Sequence, residues 1–95
     1  MYYRVTQYNF DPSKFDDFMA YADSIKPKMQ SISGLNFVHS VRTGEDAGMV
    51  IAQYVDEEAA EAAQPQVTEI LSEFARYMTS APQIKAGYVI WSTDD

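Results

Sequence analysis

The order of strand-like and helix-like segments is the feature that most restricts the fold of this chain. Aromatic and β-branched side chains, which suit strands, are concentrated in residues 2–10, 35–42, 49–55 and 86–92. A segment after the first of these and another after the third carry apolar residues at the three- and four-residue spacings of amphipathic helices. This β-α-β-β-α-β order predicts an α+β, ferredoxin-like domain, in which a four-stranded antiparallel sheet carries two helices on one face.

Each predicted helix begins at an aspartate and contains a proline. Asp11 precedes Pro12, which suits the first helical position, and Asp56 precedes two glutamates. An aspartate caps the first turn of a helix with its carboxylate, and further acidic residues favour the positive end of the helix dipole. Pro27 and Pro65 each remove one backbone donor, so we predict two kinked helices, with a kink or a break at Pro27 and an interruption at Pro65.

Length and charge restrict the classes of partner. The 95 residues suffice for a single domain, residues 1–95, and contain no cysteine for disulfides or thiolate metal sites. The formal net charge of −7 repels nucleic-acid phosphates and anionic lipids, so we expect neither nucleic acid nor membrane as a partner. The N-terminal residues do not resemble a secretory signal, and no apolar run approaches the ~20 residues of a membrane helix. We therefore expect a soluble, cytoplasmic protein.

Both faces of the predicted sheet are apolar, although two helices can cover only one face. In the second strand, Leu35, Phe37 and Val41 share one face and Val38 lies on the other. The third and fourth strands show the same two-sided pattern. Because a large exposed apolar patch usually marks an interface, we predict a two-fold homodimer in which two sheets stack face to face. The alternative is an aromatic-rich sheet that is half exposed.

The run GLNFVHSVRTGEDAGMVIAQYVDEEAAEAA, residues 34–63, resembles the signature of the antibiotic-biosynthesis monooxygenase superfamily, and DPSKF resembles its turn after the first strand. The resemblance covers nearly the whole chain, but its residues mostly form turns and core, so they indicate fold more directly than activity. It implies a dimeric α/β barrel with a pocket between the sheet and the helices of each subunit. Members include cofactor-free oxygenases of quinols and polyaromatics, heme-degrading oxygenases, isomerase relatives and proteins without known activity.

The same resemblance argues against heme degradation. The heme-degrading branch carries an asparagine on the first strand and a histidine on the second helix. Thr6 occupies the asparagine position here, and the second helix offers Arg76 and Tyr77 but no histidine. The chain also lacks zinc-ligand spacings and a phosphate-binding loop. We therefore expect neither a metal nor a cofactor.

His39, the only histidine of the chain, is the candidate catalytic residue. It alternates in step with Leu35, Phe37 and Val41, which predicts that it lies on an apolar face. An imidazole, with an unperturbed pKa of about 6.5, can take a phenolic proton and leave an electron-rich anion that reacts with oxygen. The alternative is a packed histidine that is satisfied by a single hydrogen bond.

Tyr54, Tyr77 and Trp91 are candidates to line an apolar pocket for a flat aromatic ligand. Tyr54 stands where the superfamily commonly has a tryptophan. The alternative for all three is packing in the core and at the dimer interface. Their aromatic rings therefore suit either a small aromatic ligand or the protein's own interior.

Arg42 and Arg4 are candidate partners for an anionic group of a ligand, with surface salt bridges as the alternative. Thr6 joins the candidate substrate contacts through the resemblance. The leading hypothesis is a homodimer that oxidises a phenolic or quinol-like aromatic without metal or flavin. The alternative is a non-catalytic ligand-binding or stress-related homodimer of the same fold.

Overall fold

The computed structural model describes residues 1–94 and contains the elements in the predicted order. The strands are β1 (Tyr2–Asn9), β2 (Leu35–Gly44), β3 (Ala47–Tyr54) and β4 (Gln83–Tyr88). The helices are α1 (Phe15–Gln30) and α2 (Glu57–Ser72), with 3-10 turns at Pro12–Lys14 and Glu73–Tyr77. The strands form one antiparallel sheet in the order β2-β3-β1-β4. The predicted ferredoxin-like α+β fold is confirmed.

Both helices lie on one face of the sheet, called here the inner face, and the opposite face is called the outer face. Tyr8 of β1 and Ala52 and Tyr54 of β3 point inward, because they are buried in one core with residues of both helices. Side chains alternate along a strand, so their sequence neighbours point outward. None of the helices among the described residues is long and apolar enough to span a bilayer.

Aromatic rings fill the core between the inner face and the helices. Phe18 of α1 stacks on Tyr77 with the ring centroids 5.6 Å apart, and it meets Phe10 and Phe74 edge to face. Burying each such side chain contributes roughly 1.5–3 kcal/mol to folding. This part of the inner face is therefore occupied by the protein's own side chains.

Asp56 caps α2 as predicted, and Asp11 caps the 3-10 turn that leads into α1. The predicted interruption at Pro65 is wrong, and Pro27 does not break α1. The carboxylate of Asp11 accepts a hydrogen bond from the backbone N–H two residues later at 3.0 Å, and that of Asp56 from the N–H three residues later at 2.8 Å. Pro27 and Pro65 lie inside α1 and α2, which continue beyond them. Both prolines are exposed. The carbonyl that each one leaves without an intrahelical donor can therefore bond to water.

An extra residue in β2 changes which face of the sheet the side chains of this strand occupy. Leu35 and Phe37 pair with consecutive residues of β3, which leaves Asn36 as a bulge. Leu35 consequently packs against the core, while Phe37 and His39 point outward. The prediction that Leu35 shares a face with these two residues is wrong, because one inserted residue reverses the alternation.

The last strand begins and ends earlier than predicted. Tyr88 pairs with Tyr2, the first residue of β1, and the N–H of Val89 donates to the carbonyl of Met1 at 3.1 Å. Because β1 starts at Tyr2, the following residues lie beyond the end of the strand with which β4 pairs. Ile90 and Trp91 accordingly lie outside the sheet and are 98% and 78% exposed. The prediction of a strand over residues 86–92 is therefore only partly right.

Candidate functional site

The six residues predicted to form the site do not meet at one place. Tyr54 and Tyr77 are buried in the core, and Thr6 and Arg42 point to the inner side of the sheet. His39 lies on the outer face, and Trp91 lies beyond the last strand.

Tyr54 and Tyr77 are packing residues in this structure. Tyr54 is 1% exposed and Tyr77 is 8% exposed, and the ring of Tyr77 stacks on Phe18. Burial raises the pKa of the Tyr54 phenol, and the nearby charge of Arg4 partly opposes that rise. The phenol of Tyr54 is therefore protonated at neutral pH and close to a cation.

Arg42 holds the turn between β2 and β3. Its Nε donates to the carbonyl of Gly44 at 3.2 Å, and its Nη2 donates to the carbonyl of Glu45 at 2.6 Å. Its guanidinium also lies 4.5 Å from the ring centroid of Phe15 and 5.3 Å from that of Phe10. These contacts give Arg42 a structural role, which differs from both the ligand contact and the salt bridge considered above.

His39 lies on the outer face, where it is exposed and pairs with Ile51 of β3. Its imidazole stacks on Phe37 with the centroids 4.4 Å apart, and Phe37 in turn meets Tyr3 edge to face. The sheet separates His39 from any ligand between the inner face and the helices. A catalytic role for His39 stays a prediction, and from this position it would require a ligand on the outer face.

Arg4 lies on the inner face between two small residues. Arg4 pairs with Ala52 of β3 on one side and with Ala86 of β4 on the other, so both of its cross-strand neighbours are small. Every residue of β4 is exposed, so this edge of the sheet is accessible to solvent. We call the inner-face positions of Arg4, Ala52 and Ala86 the Arg4 gap.

Polar and aromatic side chains border the Arg4 gap. Towards one end, Tyr2 pairs with both Tyr54 and Tyr88, and the rings of Tyr2 and Tyr88 meet edge to face at 5.1 Å. The Tyr88 hydroxyl accepts a hydrogen bond from the backbone N–H of Glu57 at 3.2 Å, which joins β4 to the start of α2. Towards the other end, Thr6 follows on the same face of β1.

Two polar atoms on this side of the molecule lack partners. Within residues 1–94, Nε of Arg4 and Oε1 of Gln64 are buried side-chain atoms without a hydrogen bond. The amide nitrogen of Gln64 donates to Thr68 at 2.9 Å, so only its oxygen is unsatisfied. An unsatisfied buried polar group costs about 1–3 kcal/mol and is uncommon in folded proteins. A bound ligand or ordered water would remove this cost at Arg4.

An open cleft of about 540 Å³ lies between α1 and the second 3-10 turn. Lys14, Asp17, Tyr21, Arg76 and Tyr77 line it. The guanidinium of Arg76 already lies 5.0 Å from the Tyr21 ring centroid and 4.9 Å from that of Tyr77. The cleft is wide and mixed in charge, so we regard the Arg4 gap as the better candidate for a ligand site.

Solved structures of low sequence identity share the fold. A Caulobacter crescentus CB15 protein, provisionally named an antibiotic biosynthesis monooxygenase, matches with a TM-score of 0.80 at 17% identity, over 95% of this chain and 90% of its own. A Nitrosomonas europaea protein of unknown function matches with a TM-score of 0.79 at 15% identity, over 97% and 91%. This chain has the antibiotic biosynthesis monooxygenase fold.

A variant of SnoaB, a cofactor-independent oxygenase from Streptomyces nogalater, has the same fold, with a TM-score of 0.74 at 13% identity over 99% of this chain and 97% of its own. The sequence matches no protein-family model and no curated protein. The resemblance noted in residues 34–63 is therefore confirmed at the level of the antibiotic biosynthesis monooxygenase fold. One fold hosts many activities, so the function has to be argued from the site.

Sequence reasoning considered Arg4 only as a partner for an anion. It could not identify the gap, because the small neighbours Ala52 and Ala86 are distant in sequence and are brought together by strand pairing. One signal was available in the sequence. Arg4 is a charged residue in a strand otherwise rich in aromatic and β-branched residues, and it alternates in step with the buried Tyr8.

Proposed function

We propose that the protein binds a phenolic or quinol-like aromatic molecule in the Arg4 gap and oxidises it with molecular oxygen, without metal or flavin. The observation that carries the proposal is the buried, unpartnered Nε of Arg4 beside the buried phenol of Tyr54. A phenolate or quinolate oxygen would supply the missing acceptor. The oxygenase chemistry is supported by the shared fold and by the cofactor-independent oxygenase among its members.

The chain's own residues would prepare the substrate for oxygen. The Arg4 charge favours the ionised form of a neighbouring phenol, because an opposite charge stabilises the anion. The resulting phenolate is electron-rich enough to reduce oxygen. The rings of Tyr2 and Tyr88 border the gap and offer apolar surface to a flat ligand. For 1-naphthol, the balanced reaction consumes one oxygen molecule and yields a naphthoquinone and water, so no external reductant is required.

A second candidate function is non-catalytic binding by the same site. The outward position of His39 favours it, because the only imidazole of the chain cannot accept a proton from a ligand held on the inner face. The tightly packed rings around Phe18 also leave the site confined to the edge of the sheet. Binding without oxygen consumption would identify this second function.

The proposed functional unit is a homodimer in which two outer faces stack. About half of the outward positions of the strands carry apolar side chains, and none of the fourteen acidic residues of the chain lies among them. These positions are Tyr3, Val5, Gln7, Asn9, Phe37, His39, Val41, Ala47, Met49, Ile51, Gln53, Gln83, Lys85 and Gly87. For a chain with a net charge of −7, an acid-free face is one on which two copies can meet with little repulsion.

Arg4→Met tests the binding site, with Lys26→Met as a control that removes a positive charge from an exposed position of α1. We expect 1-naphthol to raise the melting temperature of the wild type and of Lys26→Met but not of Arg4→Met, since only a ligand of the folded state stabilises it. An oxygen electrode then separates the two functions. Equal stabilisation of all three proteins would overturn the proposed site.

A further inference from the structure

The outer face carries the only histidine of the chain, His39. Histidine is the residue type whose side-chain charge ordinarily changes near neutral pH. Its neighbours on the same strand are Phe37 and Val41, and it pairs with Ile51 across β3. The only charged side chain among the outward strand positions is Lys85, on the opposite edge of the sheet. Three strand spacings of about 4.8 Å separate these two edges.

The other groups around His39 bring no negative charge to it. The phenol of Tyr3 lies beyond Phe37 and accepts a hydrogen bond from Nε2 of Gln53 at 2.6 Å. Glu45 and Asp46 are in the turn at the far end of the β2–β3 hairpin. The helices lie on the inner face and contribute no group to this side of the sheet.

We infer that protonation of His39 weakens the association of two copies of this chain through their outer faces. The inference rests on the homodimer of the proposed function. When a second copy covers the outer face, the imidazole loses its contact with water and gains no carboxylate, because the covering face is the same acid-free surface. A charged imidazolium would therefore be desolvated without a counter-ion, which disfavours the charged form.

The direction of the pH effect follows from this difference. Because the dimer disfavours the charged imidazolium, the affinity is highest where the imidazole of His39 is neutral and falls as the pH is lowered. The ring of Phe37 offers a cation–π contact in both states, but one aromatic face does not replace the hydration of an imidazolium. His39 thus acts as a pH-sensitive element of the interface.

The size of the effect is bounded because each copy contributes one His39. For an unperturbed imidazole, whose reference pKa is about 6.5, the neutral fraction falls about tenfold between pH 7.5 and 5.5, and two copies multiply to a limit of about 100-fold in Kd. Carboxylates titrate mainly below this interval and the α-amino group mainly above it. The chain has no other histidine, so this pH interval isolates His39.

The test is sedimentation of the full chain and of His39→Gln over a dilution series at pH 7.5 and 5.5. We expect the wild-type Kd to rise between about tenfold and 100-fold at pH 5.5, and the Kd of His39→Gln to change less than about threefold. His39→Leu provides a second uncharged variant with the same expected result. Circular dichroism at both pH values checks that each protein is folded.

Three other results have distinct meanings. A wild-type dimer of equal affinity at both pH values would overturn the inference and leave the homodimer standing. An equal loss of affinity in His39→Gln would also overturn it, because another group would then be responsible. A 10.7 kDa monomer at both pH values and at every concentration would overturn the homodimer itself.

Discussion

Arg4 and Tyr54 are diagonal neighbours on the inner face of the sheet. Arg4 pairs directly with Ala52, and Tyr54 lies two residues further along β3 on the same side. Burial raises the pKa of the Tyr54 phenol, and the nearby charge of Arg4 partly opposes that rise. A cation with an unsatisfied donor thus lies beside a protonated phenol, on the side of the sheet that carries the helices.

Arg4→Met should stabilise the ligand-free protein. The substitution removes a buried donor that has no partner within residues 1–94, and such a donor costs about 1–3 kcal/mol. We expect the free energy of unfolding in urea to rise by about 1 kcal/mol or more, while stabilisation by 1-naphthol disappears. A gain in stability with loss of binding is typical of residues kept for function. A clear loss of stability would mean that Arg4 is a structural residue.

The ionisation of Tyr54 predicts a pH dependence at high pH. Because its pKa is raised in the folded protein, unfolding above pH 10 is accompanied by loss of its proton. The stabilising contribution is complete below the unfolded pKa of about 10 and is lost as the pH rises through the folded value. We expect the unfolding free energy of the wild type to fall more steeply above pH 10 than that of Tyr54→Phe. Parallel curves for the two proteins would contradict this assignment.

Gly48→Ala should destabilise the protein through overpacking. A Cβ at Gly48 would overlap the hydroxyl and ring carbons of Tyr8, whose hydroxyl is 2.9 Å from Oγ of Ser40. Moving a buried ring to accommodate an extra methyl group typically costs about 1–3 kcal/mol. Gly44→Ala is the matched control, since its added methyl group meets only the Ala47 Cβ at 3.7 Å. Urea denaturation of both variants distinguishes the local clash from a general effect of losing a glycine.

Phe18→Ala should weaken folding, whereas Phe37→Ala should weaken association. Phe18 is at the centre of the core rings, so its removal should lower the free energy of unfolding by about 3–5 kcal/mol. Phe37 lies on the outer face, so its removal should leave the unfolding of the dilute monomer within about 1 kcal/mol of the wild type. It should instead weaken the dimer at least about tenfold in sedimentation, as expected for an aromatic residue buried at an interface. Unchanged association of Phe37→Ala would argue against stacking through this face.

Local sequence signals predicted the elements of this fold well because they depend on neighbouring residues. Asp11 and Asp56 cap helices through backbone groups two or three residues away, so their role is visible in the sequence. The interruption predicted at Pro65 was wrong because an exposed position supplies water to the carbonyl that proline leaves unpaired. The strand predicted over residues 86–92 was misplaced because β4 can extend only as far as its partner β1.

The sequence alone determined the order of the elements and the presence of apolar residues on both sheet faces, because periodicity and residue type are local properties. Tertiary structure decided which face each residue occupies. A single bulge at Asn36 placed His39 on the outer face, and no periodicity predicts where a strand gains a residue. Strand pairing likewise brought Ala52 and Ala86 to the two sides of Arg4. The candidate site depends on this long-range register, whereas the fold depends mainly on patterns within each segment.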